Sequence, residues 1–488
     1  MMPLPFLAAE SQWVRFNVGG KLTYKKLPDG DRIMDFSYAG YCGGGVALPG
    51  VPAVVTVVPS GGDDTTNIQK AIDVVSQMPL TNGFRGAVLL KPGMFSCSRA
   101  LTIKASGVVV RGCGEGTAGT TIKLTGSPHL FISIEGEPAK ETGKPVRITD
   151  KYVPSGATSL HVADSSVFLT GDTVFIHRPV TKAWVQFMGM DKLTRNDRNE
   201  RWVAGETVTR RVITAISKDM ITLDVPLTDS FDSQYLNPPG ASVIQGSVPG
   251  WVSQVGLENM QVVSPPQAIT IDERSFKAIN INNASDVWVR NLEIDDTINS
   301  VHTGQSTARI TMERIDVRHS VATHGAALPA DFSVDGTQTL LEHCNSTGNH
   351  LFYFITLSGA AGPNVVLNCD FHGDGSIAPH ERWATGLLVD NCRVNDGGIN
   401  LMNRGEMGSG HGWTIGWSVA WNCVAKTYII QQPPGTANWA IGCIGKQDLA
   451  AMPFGAGPLL PQGFIDSNDR PVEPKSLYEE QLRERLGK

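Results

Sequence analysis

The chain has 488 residues, 52 of them glycine, with 41% hydrophobic residues and a formal net charge of −6. That length allows a large core or one elongated domain with decorations, and the glycine-rich mix suits a turn-rich β protein rather than a helical bundle or a disordered chain. The acidic balance argues against a nucleic-acid partner, and no apolar run approaches the roughly 18 residues that span a membrane.

Residues 1–55 read as an irregular segment that carries Gly43-Gly44-Gly45. Its start, Met1 to Glu10, is too short and uncharged for a secretory signal. In 56–139, the run from Asp63 to Asp73 has acidic and hydroxyl residues suited to an N-cap, and Ile68, Ile72 and Val75 fall on one helical face. A short helix is expected there. Strands follow at Ala87–Leu90, Leu101–Ile103, Val108–Val110 and Thr120–Ile122.

Residues 140–245 break this rhythm. Ser159–Val162, Gly171–Ile176 and Met220–Asp224 read as antiparallel strands, which predicts an inserted β subdomain. Between them lies a polar stretch, Asp191 to Arg201, expected to overhang a groove or to be a solvated loop.

From 246 to 450 a local frame repeats. Five of the eight cysteines follow Asn, His or Gly at a similar place: Cys344, Cys369, Cys392, Cys423 and Cys443, at steps of 25, 23, 31 and 20 residues. Arg290-Asn291-Leu292-Glu293 and Glu313-Arg314-Ile315-Asp316 fit the frame with an aliphatic residue in the slot. A period of roughly 20–30 residues, each one short strand and a turn, is the signature of a solenoid. Alternation, as in Val365-Val366-Leu367-Asn368-Cys369, turns the slot inward. The cysteines then form a buried column rather than a disulfide framework. Zinc has no Cys-x-x-Cys pair to hold it. Residues 321–336 and 371–386 read as longer turns, and 451–488 as a tail whose Ser476–Leu486 segment forms a short helix capping or flanking the last coils.

The order of a helix of the Asp-Asp-Thr-x-x-Ile-Gln-x-Ala-Ile-Asp kind, a Val-x-Leu-x-Pro-Gly strand, and coils rich in Asn and Gly resembles the pectate-lyase-like superfamily. That superfamily includes pectate and alginate lyases, polygalacturonases and phage tailspikes. The resemblance covers roughly residues 55–135 and 250–446. It implies an all-β fold: a right-handed parallel β-helix with an N-terminal capping helix and the inserted subdomain. It also implies a polysaccharide partner, and Ca2+ as a cofactor to be tested, for which Asp295, Asp296, Asp370 and Asp374 are candidates. No loop has EF-hand spacing, and solvated turn aspartates are the default reading, so no metal ligand is assigned. Localisation is inferred from the polymer, not from a signal: secreted or periplasmic.

The densest polar cluster is His380-Glu381-Arg382-Trp383, followed one coil later by Arg404, Glu406, His411 and Trp413. Equivalent turns of successive coils lie about 5 Å apart, so His380, Arg382, Arg404 and His411 are expected to converge. β-Elimination at a uronate needs these types. Arginine neutralises the carboxylate, and a neutral histidine removes the C5 proton. A histidine, a tyrosine or water protonates the leaving oxygen. Arg382 and Arg404 are the carboxylate clamp, His380 or His411 the base and the other the acid, with Tyr353 a reserve acid. His350, Glu381 and Glu406 join Tyr353, Trp383 and Trp413 as substrate contacts, the two tryptophans as sugar platforms.

Two alternatives compete. Ser409-Gly410-His411-Gly412 is similar to the Gly-His-Gly stretch of polygalacturonases, inverting hydrolases, but their paired aspartates and Arg-x-Lys are missing in register. Carboxyls for hydrolysis are sought among Asp370, Asp374, Glu381, Asp390, Asp396 and Glu406. The other alternative is a non-catalytic carbohydrate-binding solenoid using Trp288, Trp383, Trp413 and Trp417 as platforms, although Trp417 and Trp421 suit a core better.

Overall fold

The computed structural model describes residues 9–488 apart from 117, 197, 204, 455 and 456. Its main body is a parallel β-helix, three strands to a coil. In one coil Thr337–Glu342 lies on sheet A, Asn345–Thr347 on sheet B and Phe352–Ile355 on sheet C, and Ala361–Leu367 returns to sheet A. Each strand pairs in parallel with its equivalent one coil on. A single inward column on sheet A can be followed through Val88, Val110, Leu257, Val289, Met312, Leu341, Val366, Val389, Ala420 and Ala440. All of these are buried, so stacking coils makes one continuous apolar core.

The corner between sheets A and B repeats with little change. It is turned by one residue in the left-handed region: Asn259, Asn291, Arg314, His343, Asn368, Asn391 and Asn422. Asparagine tolerates this conformation better than most side chains, which explains its recurrence. Its amides also bond coil to coil: Asn391 Nδ2 donates to Asn368 Oδ1 at 2.6 Å, and Asn291 Nδ2 to Asn259 Oδ1 at 2.8 Å. The next residue points inward, giving the column Met260, Leu292, Ile315, Cys344, Cys369, Cys392, Cys423 and Cys443. All eight cysteines are free thiols. Burial holds the Cys369, Cys392, Cys423 and Cys443 thiols well above their ordinary pKa, so they are inert packing groups.

The helix Thr65–Ser76 closes the first coils with Ile68, Ala71, Ile72 and Val75. Asp63, one residue before the N-cap Asp64, accepts from Thr65 N at 3.0 Å. At the other end Leu477–Arg485 flanks the solenoid rather than capping it. With Trp13, Phe36 and neighbours of the N-terminal segment, Leu477 and Tyr478 cover the outer face of sheet A over Leu388, Trp421 and Trp439. The N-terminal segment is irregular apart from short strands such as the pair Val14–Phe16 and Leu22–Tyr24.

The inserted subdomain leaves the solenoid after Leu130–Glu135 on sheet C and returns at Val252 on sheet A. Val110 and Leu257 pair directly across it, so the stack is not interrupted. Its main sheet is antiparallel, built around Thr173–Pro179, Glu206–Ser217 and Ser242–Ser247. Because the chain departs at the corner between sheets C and A, the subdomain lies along that corner. The two expected long turns are shorter than the sequence implied: Ala330–Val334 and Ser376–Ile377 are strands of sheet C, leaving loops at 319–329 and 378–383.

Candidate functional site

The C–A corner lengthens in two successive coils. One loop follows Ser376–Ile377 and reaches Ala384, and the other follows Leu401 and reaches Ile415. Their backbones are joined: Arg382 N donates to His411 O at 3.1 Å, and Trp383 N to Trp413 O at 3.0 Å. Arg382 and Trp383 both sit in the left-handed region, at φ 50° and 63°. That is costly for bulky side chains, and strain of this kind gathers at functional sites. Gly408 is required as glycine: a Cβ there would lie 2.1 Å from His411 Nε2.

Four predicted residues converge with Glu381. The His380 and His411 rings are 4.6 Å apart, centre to centre. Arg404 donates from a terminal nitrogen to His380 Nδ1 at 3.0 Å and lies over the Phe352 ring. His411 Nε2 faces Glu381 Oε2 at 3.4 Å, and Arg382 faces the same oxygen at 3.6 Å. Arg382 also donates to Ser409 O at 3.1 Å and to its hydroxyl. The Arg404 bond fixes one tautomer: His380 accepts at Nδ1 and carries its proton on Nε2. His411 Nδ1 and Arg382 Nε are buried without a hydrogen-bond partner among the described residues.

Burial, then the nearby Arg404, pushes His380 down to about 3 and His411 down to about 4, with Arg382 adding to both. Arg404 is lowered to about 10 by burial, partly offset by Glu381. Both imidazoles are therefore neutral at pH 7, and the cluster's positive charge rests on arginine.

His380, Glu381 and His411 also place ligand atoms within 4.8 Å of one another, the one such group of three among the described residues. Two histidines and a carboxylate suit a transition metal. Here Arg404 already occupies His380 Nδ1, and Arg382 faces Glu381, so the guanidinium groups hold the charge that a cation would bring. The calcium candidates stay apart: Asp295 accepts from Gln261, Asp296 from Ser320, Asp370 from Asn395 and Asp374 from His350 N.

Several expected contacts are corrected by burial. Trp383 and Trp413 are 2% and 3% exposed and offer no face to a sugar. They pack with Trp184 and Trp202 in the core between subdomain and solenoid, their indole N–H groups held by Asp229 and by the Met188 carbonyl. Sequence cannot tell such a tryptophan from a platform, because both stand on turns. Trp288 is fully buried, as is Trp417. Tyr353 lies inside the solenoid, stacked on Phe371, its hydroxyl given to Gly348 O, and burial raises its pKa, so it is no acid for this site. His350 stands at the start of Phe352–Ile355, whereas His380 lies near the sheet C strand ends, and it bonds Gly325 O. Glu406 accepts from Thr194 N at 3.2 Å and ties down the subdomain hairpin. That hairpin, Thr194–Arg195 with Arg198–Asn199, is where the polar stretch goes: it clamps the second loop, with Arg195 donating to Gly408 O at 2.8 Å.

Phe352 and Ser409, absent from the sequence-derived set, complete the cluster. Only the coil register, placing Phe352 beside Ser376, could have found the first. A cavity of about 380 Å3 lies not on the cluster but beside it on the same corner, in the preceding coils.

No family model matches the sequence, and no curated protein does. Among solved structures the chain is similar to a tailspike of Pseudomonas phage LKA1, at 12% identity over 84% of this chain and 72% of that one, TM-score 0.43. A tailspike of E. coli bacteriophage HK620, in complex with a pentasaccharide, matches at 10% over 91% and 62%, TM-score 0.43. A PL6-family polysaccharide lyase from Pseudopedobacter saltans matches at 10% over 86% and 93%, TM-score 0.35. The coil architecture described above rests on this chain's own strand register.

Proposed function

We propose that the protein is a polysaccharide lyase that cleaves a uronic-acid-containing polymer by β-elimination, working outside the cytoplasm where such polymers occur. The observation that carries this reading is the pairing of two neutral histidines with two arginines in one half-buried cluster. Arg404 and Arg382 hold the uronate carboxylate and spread the negative charge that builds as C5 loses its proton. His411 Nδ1 is the base, with the Glu381 carboxylate 3.4 Å from its Nε2 to stabilise the imidazolium that forms. The C5–H bond breaks, C4=C5 forms and C4–O4 breaks. The leaving oxygen accepts a hydrogen bond from His380 Nε2–H and takes its proton from water.

Hydrolysis fits less well. It needs two carboxyls about 5–9.5 Å apart across the scissile bond, and Glu381 is the only one of the six candidates that faces the cluster. Asp390 is fully buried, raised to about 7, and bound to Ser476 and Tyr478 N. Glu406 is engaged by Thr194.

The test is a screen of pectate, alginate, ulvan, glucuronan and glycosaminoglycans for the ultraviolet absorbance of the new double bond, with reducing ends measured in parallel. Both signals rising together support the lyase. Reducing ends without absorbance would mean a hydrolase, and neither signal with retained polymer binding would mean a binding module.

A further inference from the structure

The cavity of about 380 Å3 lies between the subdomain strand Glu206–Ser217 and the C–A corners of three coils, at 305–307, 335–337 and 358–361. It is contiguous with the cluster: Gly359 on its wall donates its N–H to Arg382 O at 3.2 Å. Three charged residues line it, Glu206, Arg210 and Asp335. Both carboxylates are engaged. Glu206 faces His177 Nδ1 at 2.9 Å. Asp335 faces His302 Nε2 at 3.0 Å and accepts from Leu357 N at 3.1 Å.

Arg210 has no such counter-charge among the described residues. The acids nearest in its field serve others: Asp286 is bound by Arg309, and Asp224 accepts from Val212 N. Its guanidinium stands 5.1 Å from the Trp251 ring centre. Arg210 Nε and Trp251 Nε1 are both buried donors with no acceptor among the described residues. Burial and the neighbouring Arg309 weigh against its charge more than the acids support it. A partly buried cation without its own ion-pair partner, beside an aromatic ring, in a cavity whose other lining mixes threonine and serine hydroxyls with apolar side chains and two engaged carboxylates, suits an anion that also carries hydroxyl groups.

We propose that this cavity is a second carbohydrate subsite, which seats an acidic sugar with its carboxylate on Arg210 and its ring beside Trp251. The subsite continues the His380/His411 cluster along the solenoid axis, where coils step by about 4.8 Å. A polymer bearing carboxylates on successive sugars would then meet arginine at both places. That link to turnover rests on the lyase reading; binding in the cavity does not.

Calorimetry with hexamers of galacturonate, guluronate, mannuronate and glucuronate, and with their carboxyl-reduced counterparts, tests the proposal on the full chain. Wild type should bind one of the acidic hexamers. Arg210→Gln should bind it roughly ten- to a hundredfold more weakly, the worth of a charge-assisted pair, with affinity for the carboxyl-reduced hexamer unchanged. Arg210→Lys, melting as wild type does, should recover part of the loss, which keeps the test valid if Arg210→Gln is poorly folded. Where turnover is seen, Arg210→Gln should raise KM and spare kcat. Equal affinities for wild type and Arg210→Gln, or equal losses for acidic and reduced hexamers, would overturn the subsite. So would a wild type that binds none of the hexamers. An Arg210 effect on binding with no unsaturated product from any polymer would instead sink the lyase reading and leave the subsite standing.

Discussion

The two corners of the solenoid are built on opposite plans. At the A–B corner one left-handed residue turns each coil from Asn259 to Asn422, most often asparagine, and a thiol or aliphatic side chain follows it inward. At the C–A corner the connections lengthen, a subdomain is inserted, and buried donors lack partners. The same core supports both. The regular corner fixes the register with which the irregular one is aligned, so residues far apart in sequence meet in neighbouring coils.

The comparison breaks most visibly if the irregular corner loses its base. His411→Ala should lower turnover by about 10²–10⁴-fold while polymer binding persists, measured by product absorbance against calorimetric affinity. If Asn391→Ala at the regular corner cost as much activity, the division between corners would be wrong. Next in size is Trp383→Ala, which empties the core shared by subdomain and solenoid. It should destabilise the fold by about 3–5 kcal/mol, read from denaturant unfolding, and weaken the seating of the Arg382 loop. A protein that lost sugar binding at unchanged stability would restore Trp383 as a platform.

The pH response sharpens the contrast further. His380 and His411 have folded values of about 3 and about 4, below the ordinary 6.5. The unfolded chain therefore binds their protons first as pH falls. Stability from this cluster is complete above about pH 6.5 and is lost progressively toward about pH 4. The base stays neutral over the same range, so kcat/KM should hold from neutral pH to about 5 and drop through about 4. A fall centred near 6.5 would mean that the histidines are not enclosed as described. The smallest effect belongs to the regular corner: Asn391→Ala should cost about 1–2 kcal/mol for a left-handed β-carbon, and Asn391→Gly less, with turnover unchanged in both.

Much of the fold was legible because repetition leaves a trace in sequence. The Asn-Cys frame located the A–B corner coil by coil, and its aliphatic variants at Leu292 and Ile315 occupy the same column. The capping helix could be read from Ile68, Ile72 and Val75. The convergence of His380, Arg382, Arg404 and His411 followed from the same ruler. The roles of single side chains did not. Trp383, Trp413, Tyr353 and Glu406 stand beside polar turn residues in the sequence, yet three are buried and one anchors a hairpin.

By itself, then, the sequence determined the coil, its period and the two loops that bring His380, Arg382, Arg404 and His411 together, since these depend on local turn conformation and on which residues alternate inward. Only the tertiary structure decided what each loop residue faces. The wall opposite the loops is supplied by the inserted subdomain, whose Thr194 and Trp202 bond residues 212 and 211 positions later, and whose Arg210 faces corners about 100 to 150 positions later. No local pattern records which face of a tryptophan such a distant strand will cover, or which arginine it will leave without a counter-charge.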